Sequence, residues 1–239
     1  MHIMRKVLPT RCLDSFRKVV SLFAPWLTRT YYICNVIDTY SDSLLDVGCG
    51  AGVESMLLAE KCSFRYVGLD IFRPYLVQAK KRLPKARANF ILCDIRYLPI
   101  RDKTFDIALC MNVLEHLQRE EGFKLIADLE LVTRRQIIVW VPIGLFEPGA
   151  LDNNPWQAHR SAWSEDDLTR LGFTVKARLS FHIYRRSRIY RSRFQSVMVN
   201  FFYPLLKFIP HLPDDMLCVK SKRSTDYNLF QPPMMTYCI

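Results

Sequence analysis

Three carboxylates in the first half of the chain, Asp46, Asp70 and Asp94, each stand at or near the end of a short apolar run, and their neighbours indicate what they could hold. The first lies in LLDVGCGAG (44–52), which breaks into Gly48, Gly50 and Gly52. Such a run reads as a buried strand that ends in a turn without side chains. Residues 53–61 then read as a helix, so the turn lies at a helix N-terminus, where unpaired N–H groups and the dipole favour an acidic ligand. Spacing narrows that ligand. The dinucleotide fingerprint would need glycine at position 53, where the chain has Val53, so NAD and FAD are disfavoured. A carboxylate at Asp46 would repel a pyrophosphate, but through ordered water it could hold the ammonium end of an amino acid.

The second run, RYVGLD (65–70), places Asp70 about twenty residues past the turn, where a ribose diol would lie. After the third run, Asn89 to Cys93, come Asp94 and Ile95, one acceptor and one apolar contact for an adenine edge. The three stations together describe an adenosine that carries an amino acid.

With DVGCGAG (46–52), GLD (68–70), CDIRYLPI (93–100) and FDIALCMNVLEHL (105–117) in order, the chain resembles the class I S-adenosylmethionine-dependent methyltransferases, in particular the type 11 and ubiquinone-biosynthesis-like branch. The resemblance covers roughly residues 40 to 145, and the four motifs are specific only in series. It implies S-adenosylmethionine as the cofactor. Asp46, Gly48, Gly50 and Gly52 would then hold the methionine part, Asp70 the ribose, and Asp94 with Ile95 the adenine, with Ile71 also among the cofactor-binding residues. Asn112 would join the cofactor wall, as would the LEH segment that holds Glu115 and His116, whose expected role is structural.

The elements that must position these residues follow from the pattern. Strands and helices alternate from Leu44 to about Val141, which predicts a doubly wound parallel sheet. Strands are expected near 44–48, 65–70, 89–93, 105–111 and 136–141, with helices near 53–61, 73–83 and 120–131. Pro74 falls in a first helical turn, where its missing N–H costs nothing. Ser164 to Asp167 opens a further helix with a cap serine and early acids, and Gly172 closes it before a strand at 173–177. Met216 to Lys220 would be an antiparallel seventh strand. The expected fold is therefore a Rossmann-like, doubly wound seven-stranded α/β sheet. The expected divisions are an N-terminal helical cap (1–43), a cofactor-binding domain (44–220) with an insertion (178–213), and a tail (221–239). Tyr31 and Tyr32 in the cap read as core packing.

Composition limits the class. Half of the 239 residues are apolar, enough for one α/β domain with a substantial core. Eight cysteines show no CxxC pair, so no zinc site and no disulfide framework is suggested, and a reducing cytoplasm is expected. Cys49, inside the glycine turn, reads as a small packing residue. The basic start is interrupted by further charges, unlike a signal peptide, and no apolar run reaches membrane-spanning length.

Acceptor chemistry is less legible. Residues 142–160 read as a long loop, and loops of that length are usually functional. NPWQAHRSAW (154–163) resembles a segment that lies near the acceptor mouth in some members of the family. His159 is the titratable residue in this loop whose ordinary pKa suits a general base, and it is the expected catalytic residue for O-methylation. The net charge of +11 is uneven: Leu168 to Pro213 has nine Lys or Arg and no acid, interleaved with aromatics. That segment reads as a contact for an anionic membrane surface, bringing the site to a small-molecule or lipid- or glycan-linked acceptor. RNA methylation is the alternative, and the absence of an NPPY-like segment after the fourth strand counts against it. A noncatalytic scaffold would show a ruined glycine turn or a lost ribose carboxylate, and neither is seen.

Overall fold

The computed structural model describes residues 29–54, 56, 58, 64–83, 88–144, 153–179 and 215–222. The sequence expectations for most of the N-terminal cap, for nearly all of the 178–213 insertion and for the tail beyond Lys222 lie outside these residues.

Seven strands form one sheet: β1 (Ser43–Val47), β2 (Arg65–Asp70), β3 (Ala88–Leu92), β4 (Phe105–Met111), β5 (Thr133–Pro142), β6 (Thr174–Leu179) and β7 (Asp215–Ser221). Their order is β3-β2-β1-β4-β5-β7-β6, and β7 alone runs antiparallel, between β5 and β6. The order reverses direction at β1 and β4, which pair with Leu44 opposite Ile107 and Val47 opposite Cys110. β1 and β4 are buried along their whole length, as central strands covered on both faces must be.

Alternation along the strands divides the core. Leu45, Val47, Ala108, Cys110, Ile137 and Val139 face one side, where helix Arg119–Val132 contributes Leu125, Ile126 and Leu129. Leu44, Ile107, Leu109, Ile138 and Trp140 face the other, where helix Arg29–Cys34 contributes Ile33. In chain order the helices are α1 (Arg29–Cys34), α2 (Arg73–Arg82), α3 (Arg119–Val132) and α4 (Glu165–Arg170). Val53, Glu54, Met56 and Leu58 are helical, and the rest of the helix expected at 53–61 lies outside the described residues. Ser164 caps α4 as its type suggests: its Oγ accepts from the Asp167 N–H at 3.2 Å, and Asp167 accepts in return from the Ser164 N–H at 2.9 Å.

β5 begins three residues earlier than the apolar pattern indicates. Arg134 and Arg135 extend it because each guanidinium has a carboxylate, Asp106 at 2.8 Å and Asp38 at 2.6 Å. Among the described residues no helix is long and apolar enough to cross a membrane.

Candidate functional site

At the carboxyl ends of β1, β2 and β4 the chain turns away from the sheet and leaves a crevice, where ligands bind in open α/β sheets. The crevice holds about 630 Å³ of space, open solvent included. Six of the nine expected cofactor residues line it: Gly48, Asp70, Ile71, Asp94, Ile95 and Asn112.

The glycine turn is shaped by packing. Gly48 has φ +73°, and a Cβ there would lie 2.3 Å from Cγ2 of Val113, so the turn and the β4 exit touch directly. Gly52 has φ +72°, and its Cβ would meet Ala79 of α2 at 2.8 Å. The turn also departs from the sequence expectation. Its N–H groups do not wait for an acidic ligand: Gly48 and Cys49 donate to the Leu69 carbonyl at 2.8 and 2.9 Å, and Gly50 donates to Asp70 Oδ2 at 2.8 Å. The turn is closed by β2, and the group it presents to the crevice is a carboxylate.

That carboxylate, Asp70, is 8% exposed and accepts a second N–H, from Phe72, at 2.7 Å. Burial pushes its pKa up from the ordinary carboxylate value, against the backbone donors that pull it down. Two fixed N–H bonds orient the carboxylate and leave lone pairs for a hydroxyl-rich ligand. Burial, together with Asp46 and Asp70, pushes the Cys49 thiol far up, consistent with a packing role.

Asp94 caps a short 3-10 turn, Ile95–Tyr97, through its bond from the Arg96 N–H. The Arg96 guanidinium grips the same carboxylate at 2.6 Å and reaches Glu121 at 3.2 Å. The Arg96 side chain holds the Asp94 pKa below the ordinary value. The sequence reading did not single out Arg96 or Glu121, although both line the crevice. A basic residue two positions after an expected ligand carboxylate was the available signal.

Asn112 follows β4 with φ +51°, a conformation asparagine tolerates, fixed by its N–H bond to the Trp140 carbonyl at 2.7 Å. Its Oδ1 is buried in the crevice wall with no hydrogen-bond partner among the described residues.

Asp46, Gly50, Gly52 and His159 are not among the lining residues. Asp46 shares the sheet face of Leu44 and is 3% exposed, and its Oδ2 accepts from the Tyr66 hydroxyl at 2.5 Å. It stands beneath the turn instead of within the crevice. His159 lies one layer back, its ring edge-on to that of His116 at 5.0 Å between centroids, while His116 lines the crevice.

The segment 153–163 is a strap across this end of the sheet and contains a 3-10 turn, Pro155–Gln157, where the sequence suggested an irregular loop. It is tied to the LEH turn by the Arg160 and Ser161 N–H groups, which donate to the Glu115 carbonyl at 2.7 and 3.2 Å, and by Ser161 Oγ, which donates to the Leu114 carbonyl at 3.0 Å. Ser161 in turn accepts from the buried Trp163 indole at 3.0 Å. The strap lends Asn154, Trp156, Gln157 and Arg160 to the crevice, and Trp156 lies beneath both the Arg96 and Arg160 guanidinium groups. Glu115, His116 and His159 bring possible metal-donor atoms within 4.8 Å of one another, a grouping that cysteine spacing could not disclose.

Comparison with known proteins bears on the family and the fold. Residues 44–136 match the methyltransferase domain family model. Norajmaline N-methyltransferase from Rauvolfia serpentina is 30% identical over 86 residues, 34% of this chain and 29% of that protein. Ubiquinone biosynthesis O-methyltransferase from Coxiella burnetii is 33% identical over 91 residues, 37% of this chain and 38% of that protein. The chain therefore spans well under half the length of the curated relatives it matches. The fold is shared with an S-adenosylmethionine-dependent methyltransferase from Mesorhizobium loti at a TM-score of 0.56 and 15% identity, covering 80% of this chain and 96% of that one.

Proposed function

We propose that the chain, whose residues 44–136 match a methyltransferase domain, is a class I S-adenosylmethionine-dependent methyltransferase, and that the crevice binds this cofactor and passes its methyl group to a hydroxyl acceptor on a small molecule or a lipid- or glycan-linked precursor. The observation that carries the reading is the carboxylate of Asp70, fixed by two backbone N–H donors, in the lining of the same crevice as Asn112, whose buried Oδ1 has no hydrogen-bond partner among the described residues. Each is a polar group whose burial favours a ligand with hydroxyl and amino donors.

In this reading Asp70 accepts from the ribose hydroxyls, with Ile71 beside it. Asp94, held by Arg96, and Ile95 border the adenine. Gly48 and Asn112 border the amino-acid end. From beneath the turn, the charge of Asp46 favours an ammonium over a carboxylate at that end. Gly50 and Gly52 shape the turn. S-adenosylmethionine, when bound, supplies a methyl group on a sulfonium, which reacts by in-line displacement. The chain has mainly to align the acceptor with that methyl and exclude water, which the strap, with Trp156 and Gln157, is placed to do. The sequence reading put the base at His159.

An anionic membrane surface, on the cytoplasmic side, is the proposed location of the acceptor. Its support is the acid-free basic and aromatic stretch from Leu168 to Pro213. Incubating the protein with methyl-labelled cofactor and separate metabolite, lipid and RNA extracts tests the whole reading. Label is expected in the metabolite or lipid fraction. Label confined to RNA would replace the acceptor class, and no label in any fraction would count against transfer itself. Co-sedimentation with anionic vesicles should be strong at low salt, weaken as salt rises, and be far weaker with neutral vesicles.

A further inference from the structure

We propose that the methyl acceptor carries an oxyanion, a carboxylate or a phosphate, and that Arg160 on the strap binds it, with Asn154 as a second donor. This rests on the methyl-transfer reading above and names the acceptor class for that site. The oxyanion is held, and a separate hydroxyl of the same molecule takes the methyl group.

Charge in the crevice is divided between its two sides. The strap has no acid from Asn153 to Trp163, and the side chains it lends to the crevice include Arg160. The acids of the lining, Asp70, Asp94 and Glu121, come from other segments and are engaged there. Asp70 accepts from the Gly50 and Phe72 N–H groups, and Asp94 and Glu121 share the Arg96 guanidinium at 2.6 and 3.2 Å. Arg96 is therefore neutralised by its own neighbours. Arg160 is not: among the described residues its guanidinium meets no carboxylate and no hydrogen-bond acceptor, and it stands 5.9 Å from the centre of the Trp156 ring.

That arrangement suits an anion. The root of Arg160 is fixed, because its N–H donates to the Glu115 carbonyl at 2.7 Å. Its guanidinium is held only by a cation–π contact to a ring that is itself 36% exposed, a weak attraction at such a site, so it can turn toward a ligand at little cost. The planar fork of N–H groups matches two oxygens of a carboxylate or a phosphate. Asn154 adds an independent observation. It is 2% exposed and lines the crevice, and its Oδ1 accepts from the Trp156 N–H at 3.0 Å, which sets the orientation of the amide. Its remaining polar group is the NH₂, which can only donate and meets no acceptor among the described residues. A buried donor in that position favours a ligand oxygen. Asp70 and the Oδ1 of Asn112 thus offer acceptors to the donors of the cofactor, while the strap offers donors to the oxygens of the second substrate.

The test saturates the full chain with S-adenosylhomocysteine and titrates it by calorimetry with benzoate, phenyl phosphate and benzamide, as wild type, R160Q and R160K. The ring is common to the three probes, so charge is the difference between them. At least one anion should bind the wild type about tenfold or more tighter than benzamide. R160Q should abolish that preference, and R160K should keep part of it, because the charge stays while the fork is lost. The better of the two anions tells carboxylate from phosphate. In 15N-arginine samples the same anion should shift the Nε–H signal that R160K lacks. With labelled cofactor and extract, the methylated product should be retained by an anion exchanger, and labelling by R160Q should fall about tenfold in dilute extract and recover in concentrated extract, a change in KM and not in kcat.

No binding of either anion, equal binding of benzamide, or a preference that survives R160Q would overturn the proposal, as would a methylated product that passes through the exchanger. Weakening of S-adenosylhomocysteine itself by R160Q would also overturn it, because Arg160 would then hold the cofactor carboxylate. The S-adenosylhomocysteine titration of the wild type separates the two levels. If it binds while the anion results fail, only the acceptor assignment falls. If it does not bind, the cofactor reading falls.

Discussion

Replacing Gly48 with alanine should destabilise the protein through two separable effects, and a double-mutant cycle with Val113 resolves them. The new Cβ would lie 2.3 Å from Cγ2 of Val113, where carbon atoms rest about 3.5–4.0 Å apart, so Val113 would have to retreat by more than about 1 Å within a buried cluster. Overpacking of this kind costs about 1–3 kcal/mol. The φ of +73° adds about 1 kcal/mol for any residue with a Cβ, giving about 2–4 kcal/mol in total. Val113→Ala alone removes two buried methyl groups and should cost about 2 kcal/mol. In the double variant the clash is gone and the backbone strain stays, so its loss should be smaller than the sum of the singles by about 1–3 kcal/mol. Gly50→Ala is the control: its φ is +56° with nothing within 4 Å of a Cβ, so only the strain of about 1 kcal/mol should appear. Urea midpoints followed by tryptophan fluorescence measure all four variants. Additivity within about 0.5 kcal/mol, or a Gly50→Ala loss equal to that of Gly48→Ala, would refute the contact between the turn and the β4 exit.

Three further outcomes are expected. Asp70→Ala should weaken S-adenosylhomocysteine by about 1–3 kcal/mol, roughly 5- to 150-fold, and unchanged affinity by calorimetry would remove Asp70 from the ribose site. Gly122→Ala should cost about 1–3 kcal/mol in a urea melt, because its Cβ would lie 2.4 Å from the Trp163 ring that anchors the strap. Asp106 sets an acid limb of stability. Burial alone would raise its pKa, but Arg134 with the Asp42 N–H and Ser43 donors pulls it down to about 2. A folded pKa below the unfolded one means that the stabilisation is complete above about pH 4 and is lost as pH falls toward 2, by about 2 kcal/mol. The stability difference between wild type and Asp106→Asn should shrink by that amount over this window.

β1, β2 and β4 were legible because parallel strands inside the sheet read as apolar runs, with β2 and β4 at the expected residues and β1 within one residue at either end; the edge strand β3 and the antiparallel β7 also lie within one residue at either end. The start of β5 was not, since TRRQ is polar and becomes strand only through Asp38 and Asp106, which are distant in sequence. Asp70, Asp94 and Asn112 were legible because the strand ends fix them at the crevice. Asp46 was placed by type and spacing, but strand alternation puts it on the Leu44 face, where Tyr66 reaches it from the next strand. The sequence points to His159 as the titratable residue of the 142–160 loop and to a structural role for His116, and it is His116 that lines the crevice. Which of two histidines 43 positions apart faces the crevice depends on how the strap folds back on the LEH turn, a long-range contact without local periodicity.

The central claim is that the crevice beside Asp70 and Asn112 accepts an adenosine bearing an amino acid. Calorimetric titration of the full chain with S-adenosylmethionine tests it most directly, with NAD as the comparison. A dissociation constant of roughly micromolar, about 8 kcal/mol, is expected for S-adenosylmethionine, with no heat of binding for NAD. Equal binding of both, or binding of NAD alone, would contradict it.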